Sequence, residues 1–181
     1  MSASLRAVIV TARLRLRAFT PGDLQSLLAY RSDPEVARYQ SWSANYTEAE
    51  GRAFISAVSS ATLGGSGTWV NVAAELRTTG ELIGDVALRV EADRSAGEVG
   101  FTFASNRQRC GYAREAVAAL CNFALEEARL PRLFARTDAR NTRAVRLLEA
   151  TGFHDTGALT RSLYKGEMCD ELCFERFPLA R

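Results

Sequence analysis

Apolar and polar positions alternate at the start of the chain and then change to a helical period. Residues 13–17 alternate leucine with arginine, as a half-exposed strand does. A helix is predicted directly after this strand, because Thr20 stands at an N-cap position, Pro21 at the first helical position and Asp23 three residues after the cap. The chain is therefore expected to open with a strand followed by a helix.

Two more helices are predicted in the N-terminal third. The first begins at Pro34, and the second follows a capping box formed by Thr47 and Glu50. Residues 61–68 then form a Gly-rich break, which at this length is typical of a loop between elements and not of a domain linker. This third of the chain is therefore expected to be mostly helical.

From Trp69 the period changes to that of strands. Three β-rich runs, at residues 69–77, 81–90 and 97–105, are separated by short turns and predict hairpin-linked antiparallel strands. Residues 112–128 return to helical spacing and predict a helix. A sheet followed by a helix is therefore expected in the middle of the chain.

The C-terminal part predicts further strands around one helix. Residues 133–138 predict a short strand, residues 141–153 a helix ended by Gly152, and residues 154–177 two strands joined by a turn at residues 165–166. This order continues the strand and helix elements already predicted.

The order of elements predicts the fold class. We expect an α/β (α+β) fold with a mixed, mostly antiparallel sheet of about six to seven strands flanked by helices. A single domain covering residues 1–181 accounts for every segment, and a chain of this length can bury one core.

Composition narrows the classes of function. A net charge of +2 is too small to indicate nucleic-acid binding, and no Lys/Arg run with interleaved aromatics is present. No uninterrupted apolar segment reaches the roughly 18 residues that would span a bilayer, and the first residues are a poor match for a signal peptide. We therefore expect a cytoplasmic protein with no membrane or nucleic-acid partner.

The cysteines and the single histidine, His154, do not indicate a metal site. The cysteines lack C-x-x-C spacing. If Cys169 and Cys173 lie on one strand, they are about 13 Å apart, beyond the roughly 7 Å limit for a disulfide. No metal is predicted, and buried, reduced thiols are expected at all four positions: Cys110, Cys121, Cys169 and Cys173.

Residues 105–117, with the sequence SNRQRCGYAREAV, pass from a predicted strand into a predicted helix. A helix start leaves about four backbone N–H groups unpaired and carries roughly half a positive charge. Gly111 lets the backbone and a ligand approach closely, while Arg109 and Arg114 can add charge to the same anion. The segment predicts a phosphate-binding site, and a tight turn that needs a glycine is the alternative.

This segment resembles part of a known family. Residues 108–113, QRCGYA, fit the Q/R-x-x-G-x-G/A signature of the GCN5-related N-acetyltransferases (GNAT). Residues 79–88, 97–105 and 141–153 resemble further segments of that family in the same order, and residues 13–42 are similar to its RimJ/RimL-like branch. The resemblance covers nearly the whole chain and implies a GNAT fold and an acetyl-CoA-dependent N-acetyltransferase.

The resemblance also implies which residues hold acetyl-CoA. The signature loop would bind the pyrophosphate, and main-chain groups of the preceding strand would bind the pantetheine arm. Asn141 would bond to that arm or to a bound water, with an ordinary helix N-cap as the alternative. Arg109 occupies a position that is often glycine in this branch, where its side chain could contact phosphate or narrow the loop. The implied residues are Thr102, Phe103, Ala104, Gln108, Arg109, Cys110, Gly111, Tyr112, Ala113, Arg114 and Asn141.

Acetyl transfer to an amine needs a neutral amine, a polarised thioester carbonyl and a proton for the leaving thiolate. Glu98 stands where related enzymes often place a base, and a cross-strand ion pair with Arg89 is the alternative. A main-chain N–H near Phe103 would polarise the carbonyl. Many relatives protonate the thiolate with a tyrosine, but that position is Leu148, so CoA would leave as a thiolate. We expect direct attack in a ternary complex, with Glu98 and Asn141 as the catalytic residues.

The acceptor is expected to bind against the more variable segments. Tyr39, Trp42 and Tyr46 could form the wall of a groove, with ordinary packing as the alternative. Three acidic residues could attract a cationic amine, unless they are only a solvated turn. They are Glu167, Asp170 and Glu171.

The resemblance favours a protein or peptide N-terminal amine as the acceptor. A small-molecule amine or an antibiotic is an alternative acceptor, and a non-catalytic acyl-CoA-binding module is an alternative function. The C-terminal strands could pair across a homodimer.

Overall fold

One mixed sheet organises the fold, and the computed structural model describes residues 9–59 and 67–179. Eight strands follow one another across the sheet in the order β1-β2-β3-β4-β5-β6-β8-β7. The mixed α/β class is confirmed, but six to seven strands were too few, because the two residues of β1 are too short to give a periodic signal. The strands are β1 (Ile9–Val10), β2 (Leu14–Arg17), β3 (Trp69–Leu76), β4 (Leu82–Val90), β5 (Gly97–Phe103), β6 (Leu133–Asp138), β7 (His154–Tyr164) and β8 (Glu167–Arg176).

The pairing of β5 with β6 leaves an opening in the sheet. Strands β1 to β5 pair antiparallel in chain order, and the three hairpin-linked runs had predicted the pairing of β3 to β5. β6 lies parallel to β5, but only Gly97 with Leu133 and Glu98 with Phe134 are paired. Beyond these pairs the two strands diverge, and a cleft forms beside the C-terminal half of β5.

The start predicted at Pro21 is a 3-10 turn (Pro21–Asp23) that leads into the first α-helix at Leu24, and the other helices begin where the sequence predicts. The Asp23 carboxylate accepts a hydrogen bond from the Thr20 N–H at 2.7 Å, and the Glu50 carboxylate accepts one from the Thr47 N–H at 2.7 Å, so both capping boxes are confirmed. No helix in the described ranges is long and apolar enough to cross a membrane. The helices are α1 (Leu24–Arg31), α2 (Pro34–Ala37), α3 (Glu48–Ser59), α4 (Tyr112–Asn122) and α5 (Thr142–Ala150).

Helices cover both faces of the sheet. Val117 and Leu120 of α4 and Leu148 of α5 are buried in the main core on one face. Leu27 of α1 and Ile55 of α3 are buried in a second cluster. Most buried strand side chains belong to the main core, and a few on the opposite face of the sheet belong to the second cluster. The apolar stripe of α4 thus fixes the start of this helix beside the end of β5.

The C-terminal hairpin reaches back across the molecule. Lys165 and Gly166 have φ values of 49° and 81°, which are those of a tight two-residue turn, and the predicted turn is confirmed. The Lys165 ammonium donates a hydrogen bond to the Ala37 carbonyl at 2.6 Å. The tip of the hairpin therefore contacts the end of α2. In the described part of the chain β7 is an edge strand, which is where the expected dimer contact would lie.

Candidate active site

An open cavity of about 630 Å³ lies where β5 and β6 diverge. Its walls come from the end of β5, the loop before α4, the start of α5 and the segment that follows α2. Many of the predicted cofactor residues line it, whereas Glu98, Ala104, Cys110 and Tyr112 do not. The predicted residues in the lining are Thr102, Phe103, Gln108, Arg109, Gly111, Ala113, Arg114 and Asn141.

The main chain of β5 turns alternate residues toward its two neighbours. The Ala104 N–H donates to the Ile83 carbonyl of β4, and the Gly97 N–H donates to the Arg132 carbonyl on the β6 side, both at 3.0 Å. Because the main-chain groups of successive residues alternate in direction, the N–H of Thr102 also faces β4. The pantetheine contacts implied for Thr102 and Ala104 therefore do not fit this geometry.

Phe101 and Phe103 turn their main-chain groups toward the cavity instead. Neither has a pairing partner on β6. The Gln40 side-chain amide donates to the Phe101 carbonyl at 3.3 Å, and the Gln108 amide donates to the Phe103 carbonyl at 3.1 Å. The N–H groups of the two phenylalanines are left as donors along the cavity wall. The arrangement is compatible with the expected main-chain N–H near Phe103 that would polarise a carbonyl. The N–H of Phe101 is a second donor in the same direction.

The loop before α4 exposes a run of backbone donors. Arg109 and Gly111 both have positive φ values, 61° and 80°. Within the described ranges, the N–H groups of residues 109–114 form no hydrogen bond with a protein acceptor, and the first helical bond is from Glu115 to the Gly111 carbonyl at 3.1 Å. Successive N–H groups at a helix start form an anion-binding concavity. The loop therefore offers backbone donors of the kind that can bind an anion.

Arginine side chains surround the same loop. Arg109, Arg114 and Arg146 line the cavity and form no ion pair with a carboxylate in the described ranges. Arg143 donates to the Gln108 amide oxygen at 3.1 Å, from the opposite wall. Guanidinium groups without carboxylate partners attract phosphate groups. The cavity therefore combines backbone donors with uncompensated positive charge.

Cys110 lies in this loop and is exposed. The expectation that all four thiols are buried is therefore wrong for Cys110, because the bend that turns the loop N–H groups toward the cavity turns this side chain to solvent. Cys121 and Cys169 are buried, and Cys173 is half-buried. Burial raises the pKa of Cys121 to about 12.

Glu98 is held between two guanidinium groups. It is 6% exposed. The Arg136 Nε donates to its Oε1 atom at 3.0 Å, and Arg89 binds its Oε2 atom. Both carboxylate oxygens are thus occupied by guanidinium donors, and Glu98 does not line the cavity. The geometry favours the ion-pair role of Glu98 over the role of base.

Asn141 and Leu148 occupy different parts of α5. The Asn141 side-chain oxygen accepts from the Ala144 N–H at 3.2 Å, as a helix N-cap does. Asn141 lines the cavity, and its amide nitrogen has no acceptor in the described ranges. Leu148 is 1% exposed and lies in the core, at the position where many relatives have a tyrosine. Asn141 can therefore both cap α5 and donate to a ligand.

The three predicted aromatic residues of the acceptor groove separate into two groups. Tyr39 lines the cavity, and its hydroxyl donates to the Arg140 carbonyl at 3.4 Å. Trp42 and Tyr46 instead pack on the buried guanidinium of Arg31, with ring centroids 4.1 Å and 5.3 Å from its carbon. For Trp42 and Tyr46 the packing alternative fits, since a cation stacked on aromatic rings occupies the faces that an acceptor would use.

The acidic residues of the hairpin are mostly neutralised. Glu167 pairs with Arg140 at 3.5 Å, and Asp170 pairs with Arg161 at 3.3 Å. Glu171 forms no ion pair in the described ranges, and it lies on β8 opposite Asp138. Of the three, Glu171 is the one without an ion pair, and its charge acts at longer range on Arg136.

Sequence reasoning missed Phe101, Gln40 and Arg140, all of which line the cavity. Phe101 could have been found from the strand period, because it shares its direction with Phe103. Gln40 and Arg140 lie in connecting segments and reach the cavity through tertiary packing, so no local pattern identifies them.

A sequence model of the Acetyltransferase (GNAT) domain matches residues 13–154. The chain belongs to the GNAT acetyltransferase family. The uncharacterized N-acetyltransferase p20 of Bacillus licheniformis is 27% identical to this GNAT chain over 168 residues, which cover 92% of the chain and 93% of that protein. This GNAT chain is accordingly an acetyltransferase.

Solved structures share the fold. A Vibrio cholerae protein assigned provisionally as a ribosomal-protein-serine acetyltransferase has a TM-score of 0.82 and 26% identity, with 98% of this GNAT chain and 100% of that chain covered. The Vibrio cholerae spermidine N-acetyltransferase, solved with CoA and spermine, has a TM-score of 0.76 and 20% identity, with coverage of 92% and 96%. The GNAT fold is therefore confirmed.

Proposed function

We propose that this enzyme transfers an acetyl group from acetyl-CoA to the N-terminal amine of a protein or peptide, within the RimJ/RimL-like branch of the family. The observation that carries the donor assignment is the run of free N–H groups at residues 109–114 beside the arginine-lined cavity. The acceptor assignment is supported by the likeness to the provisionally assigned ribosomal-protein-serine acetyltransferase.

The residues at the cavity fit the parts of acetyl-CoA. The loop N–H groups, with Arg109 and Arg114, would hold the pyrophosphate. The main-chain groups of Phe101 and Phe103 would bind the pantetheine arm along β5, and Asn141 would donate to it from α5. Bound acetyl-CoA supplies the reactive thioester.

The transfer needs little from acidic or basic side chains. A neutral amine attacks the thioester carbon, a C–N bond forms, and the C–S bond breaks to release CoA. The N–H of Phe101 or Phe103 would polarise the carbonyl oxygen. Because a free thiol has a pKa near 8.5, CoA can leave as a thiolate. The amine proton then passes to water, since both carboxylate oxygens of Glu98 are bound by Arg136 and Arg89.

A cationic small amine is the second candidate acceptor. Glu171 is the residue that would favour it, because it has no ion pair in the described ranges and lies opposite Asp138 on β8. A polyamine would gain from that charge, whereas a peptide N-terminus would gain less. Comparing Glu171→Gln with the parent enzyme on both classes of acceptor separates them.

The test is the release of CoA from acetyl-CoA in the presence of different amines. The panel contains peptides of varied N-terminal residue, polyamines, aminoglycosides and amino acids, and CoA binding is measured in parallel by calorimetry. Turnover with peptides alone supports the proposal, and turnover with small amines alone overturns its acceptor. Binding of CoA without turnover on any amine favours a non-catalytic acyl-CoA-binding module, and no binding overturns the donor assignment.

A further inference from the structure

The three arginines of residues 13–17 have different partners. Arg15 and Arg17 both bind the carboxylate of Glu75, at 2.8 Å and 2.5 Å, and thereby join β2 to β3. Arg13 stands one residue before β2 and extends toward α4 instead. The proposed transfer reaction assigns no role to Arg13, because this residue is not in the lining of the cavity.

Arg13 contacts the loop before α4 from its outer side. Its Nη1 donates to the Cys110 carbonyl at 2.9 Å, and its Nε donates to the Glu115 carboxylate at 2.7 Å. The guanidinium carbon lies 4.5 Å from the centroid of the Tyr112 ring. One planar side chain therefore contacts the loop, the first residue of α4 and a residue in the first turn of α4.

The Cys110 carbonyl belongs to a strained part of the loop. It lies between Arg109 and Gly111, whose φ values of 61° and 80° are both in the left-handed region. A left-handed arginine is strained, because its Cβ approaches the carbonyl oxygen, and such a conformation persists only when the surroundings hold it. The bond from Arg13 holds the peptide group between the two left-handed residues.

The position of Arg13 is itself determined by Glu115. The Glu115 carboxylate accepts from the Thr11 hydroxyl at 2.5 Å and from the Arg13 main-chain N–H at 2.7 Å, in addition to the Arg13 side chain. Burial opposes the ionised form of Glu115, but these bonds outweigh it and lower its pKa below the ordinary value. The turn before β2 and the start of α4 are thereby joined by a charged hydrogen-bond network.

We propose that Arg13 is a positioning residue for the donor. It does not touch acetyl-CoA, and it holds the loop in the conformation that turns the N–H groups of residues 109–114 toward the pyrophosphate. This inference rests on the proposed binding of acetyl-CoA at the same loop. It assigns a role in the donor site to a side chain more than ninety residues before that loop.

The test compares Arg13→Ala with Arg15→Ala. The two side chains are 46% and 48% exposed and both bind a carboxylate, but only Arg13 contacts the loop. We expect Arg13→Ala to weaken CoA binding about tenfold by calorimetry and to raise the KM for acetyl-CoA similarly, with kcat within about twofold. Arg15→Ala should leave the Kd of CoA within about twofold.

A donor without the pyrophosphate distinguishes positioning from a general loss of structure. With acetylpantetheine, which lacks the nucleotide, Arg13→Ala should retain the kcat/KM of the parent. Arg13→Lys should recover part of the affinity, because an ammonium can bind Glu115 or the carbonyl but lacks the planar fork. Glu115→Gln should weaken CoA binding in the same direction.

Three results would overturn the role of Arg13 as a positioning residue. Equal CoA affinity for Arg13→Ala and the parent overturns the inference but leaves the proposed function intact. An equal loss with acetylpantetheine overturns it as well, since the effect would then not involve the pyrophosphate loop. A parent enzyme that binds no CoA overturns the proposed function, and the inference with it.

Discussion

Arg136 donates a hydrogen bond from its Nε atom to Oε1 of Glu98 at 3.0 Å, from β6 to β5. The pair lies at the end of the parallel pairing, immediately before the two strands diverge. With Arg89 on the other oxygen, Glu98 links β4, β5 and β6. This carboxylate therefore joins the two strands that form the cleft.

Glu98→Gln is expected to reduce stability and to spare catalysis. Loss of the charge should lower the free energy of unfolding by about 1–3 kcal/mol, because two arginines lose a charged acceptor. The pH dependence of kcat/KM should be unchanged. Urea unfolding and a pH profile measure the two effects. Glu91→Gln is the control, since Glu91 is more exposed and lies 3.8 Å from the same Arg89. A folded Glu98→Gln enzyme without turnover would restore Glu98 as the base.

Leu148→Tyr is expected to destabilise the protein without increasing kcat. Leu148 is 1% exposed, so a larger side chain must displace its neighbours at a cost of about 1–3 kcal/mol. Leu148→Met, with a similar volume, should cost less than about 1.5 kcal/mol. Thermal unfolding and turnover measure both variants. A stable Leu148→Tyr enzyme with a raised kcat would show that the position can reach the thiolate.

Gly111→Ala should weaken CoA binding, and Gly80→Ala is its matched control. Both glycines have positive φ, 80° and 73°, so an alanine at either costs about 1–2 kcal/mol in backbone strain. A Cβ on Gly111 would lie 3.2 Å from the Arg13 guanidinium, whereas a Cβ on Gly80 has no neighbour within 4 Å. Calorimetry with CoA should show a loss only for Gly111→Ala. An equal loss of CoA affinity in both variants would mean that backbone strain, and not the contact with Arg13, weakens CoA binding.

The thiols should react at very different rates. Cys110 is exposed, whereas Cys121 is buried with its pKa raised to about 12 by that burial. At pH 8 a thiol reagent should modify Cys110 first, and Cys121 only after unfolding. Saturating CoA should slow the reaction of Cys110, because its peptide group belongs to the loop that would bind the pyrophosphate. A Cys110→Ser variant identifies the fast phase, and a phase that CoA does not slow would argue against the loop as the donor site.

Asp23 should make stability depend on pH below neutrality. Burial raises its pKa, but the hydrogen bonds from Arg17 and Thr20 outweigh burial and lower the pKa below the ordinary value. A lowered pKa in the folded state contributes stability above the pKa of the unfolded chain, about 3.9, and this contribution is lost as the pH falls through the folded value. Urea unfolding of Asp23→Asn and the parent should therefore show a difference at pH 7 that narrows below about pH 4. A constant difference down to pH 3 would contradict this.

Local patterns predicted the parts of the fold that depend on neighbouring residues. The capping boxes at Thr20 and Thr47, the strand runs from Trp69 and the tight turn at residues 165–166 each follow from side chains within a few positions. The bend before α4 was predicted for the same reason, because residues 105–117 contain the bend and the helix start together. These features needed no knowledge of tertiary contacts.

The remaining features depend on contacts between distant segments. The strand period alone does not say which residues of β5 turn their N–H groups toward the cleft, so Thr102 and Ala104 were expected there. Arg136 lies 38 residues from Glu98, and no local pattern joins them. In the same way, no local pattern indicates that the Arg31 guanidinium lies on the ring of Trp42, so Trp42 was expected to face a ligand.

The position of β8 between β6 and β7 has a consequence for biosynthesis. β8 is synthesised after β7 but lies between β6 and β7 in the sheet. β7 therefore has no strand to pair with until Glu167–Arg176 has been synthesised. Strands β1 to β5 and α4, which flank the loop before α4, precede it in the chain and have their partners earlier. On the ribosome, every residue that lines the cavity has therefore been synthesised before β7, and the hairpin joins the sheet afterwards.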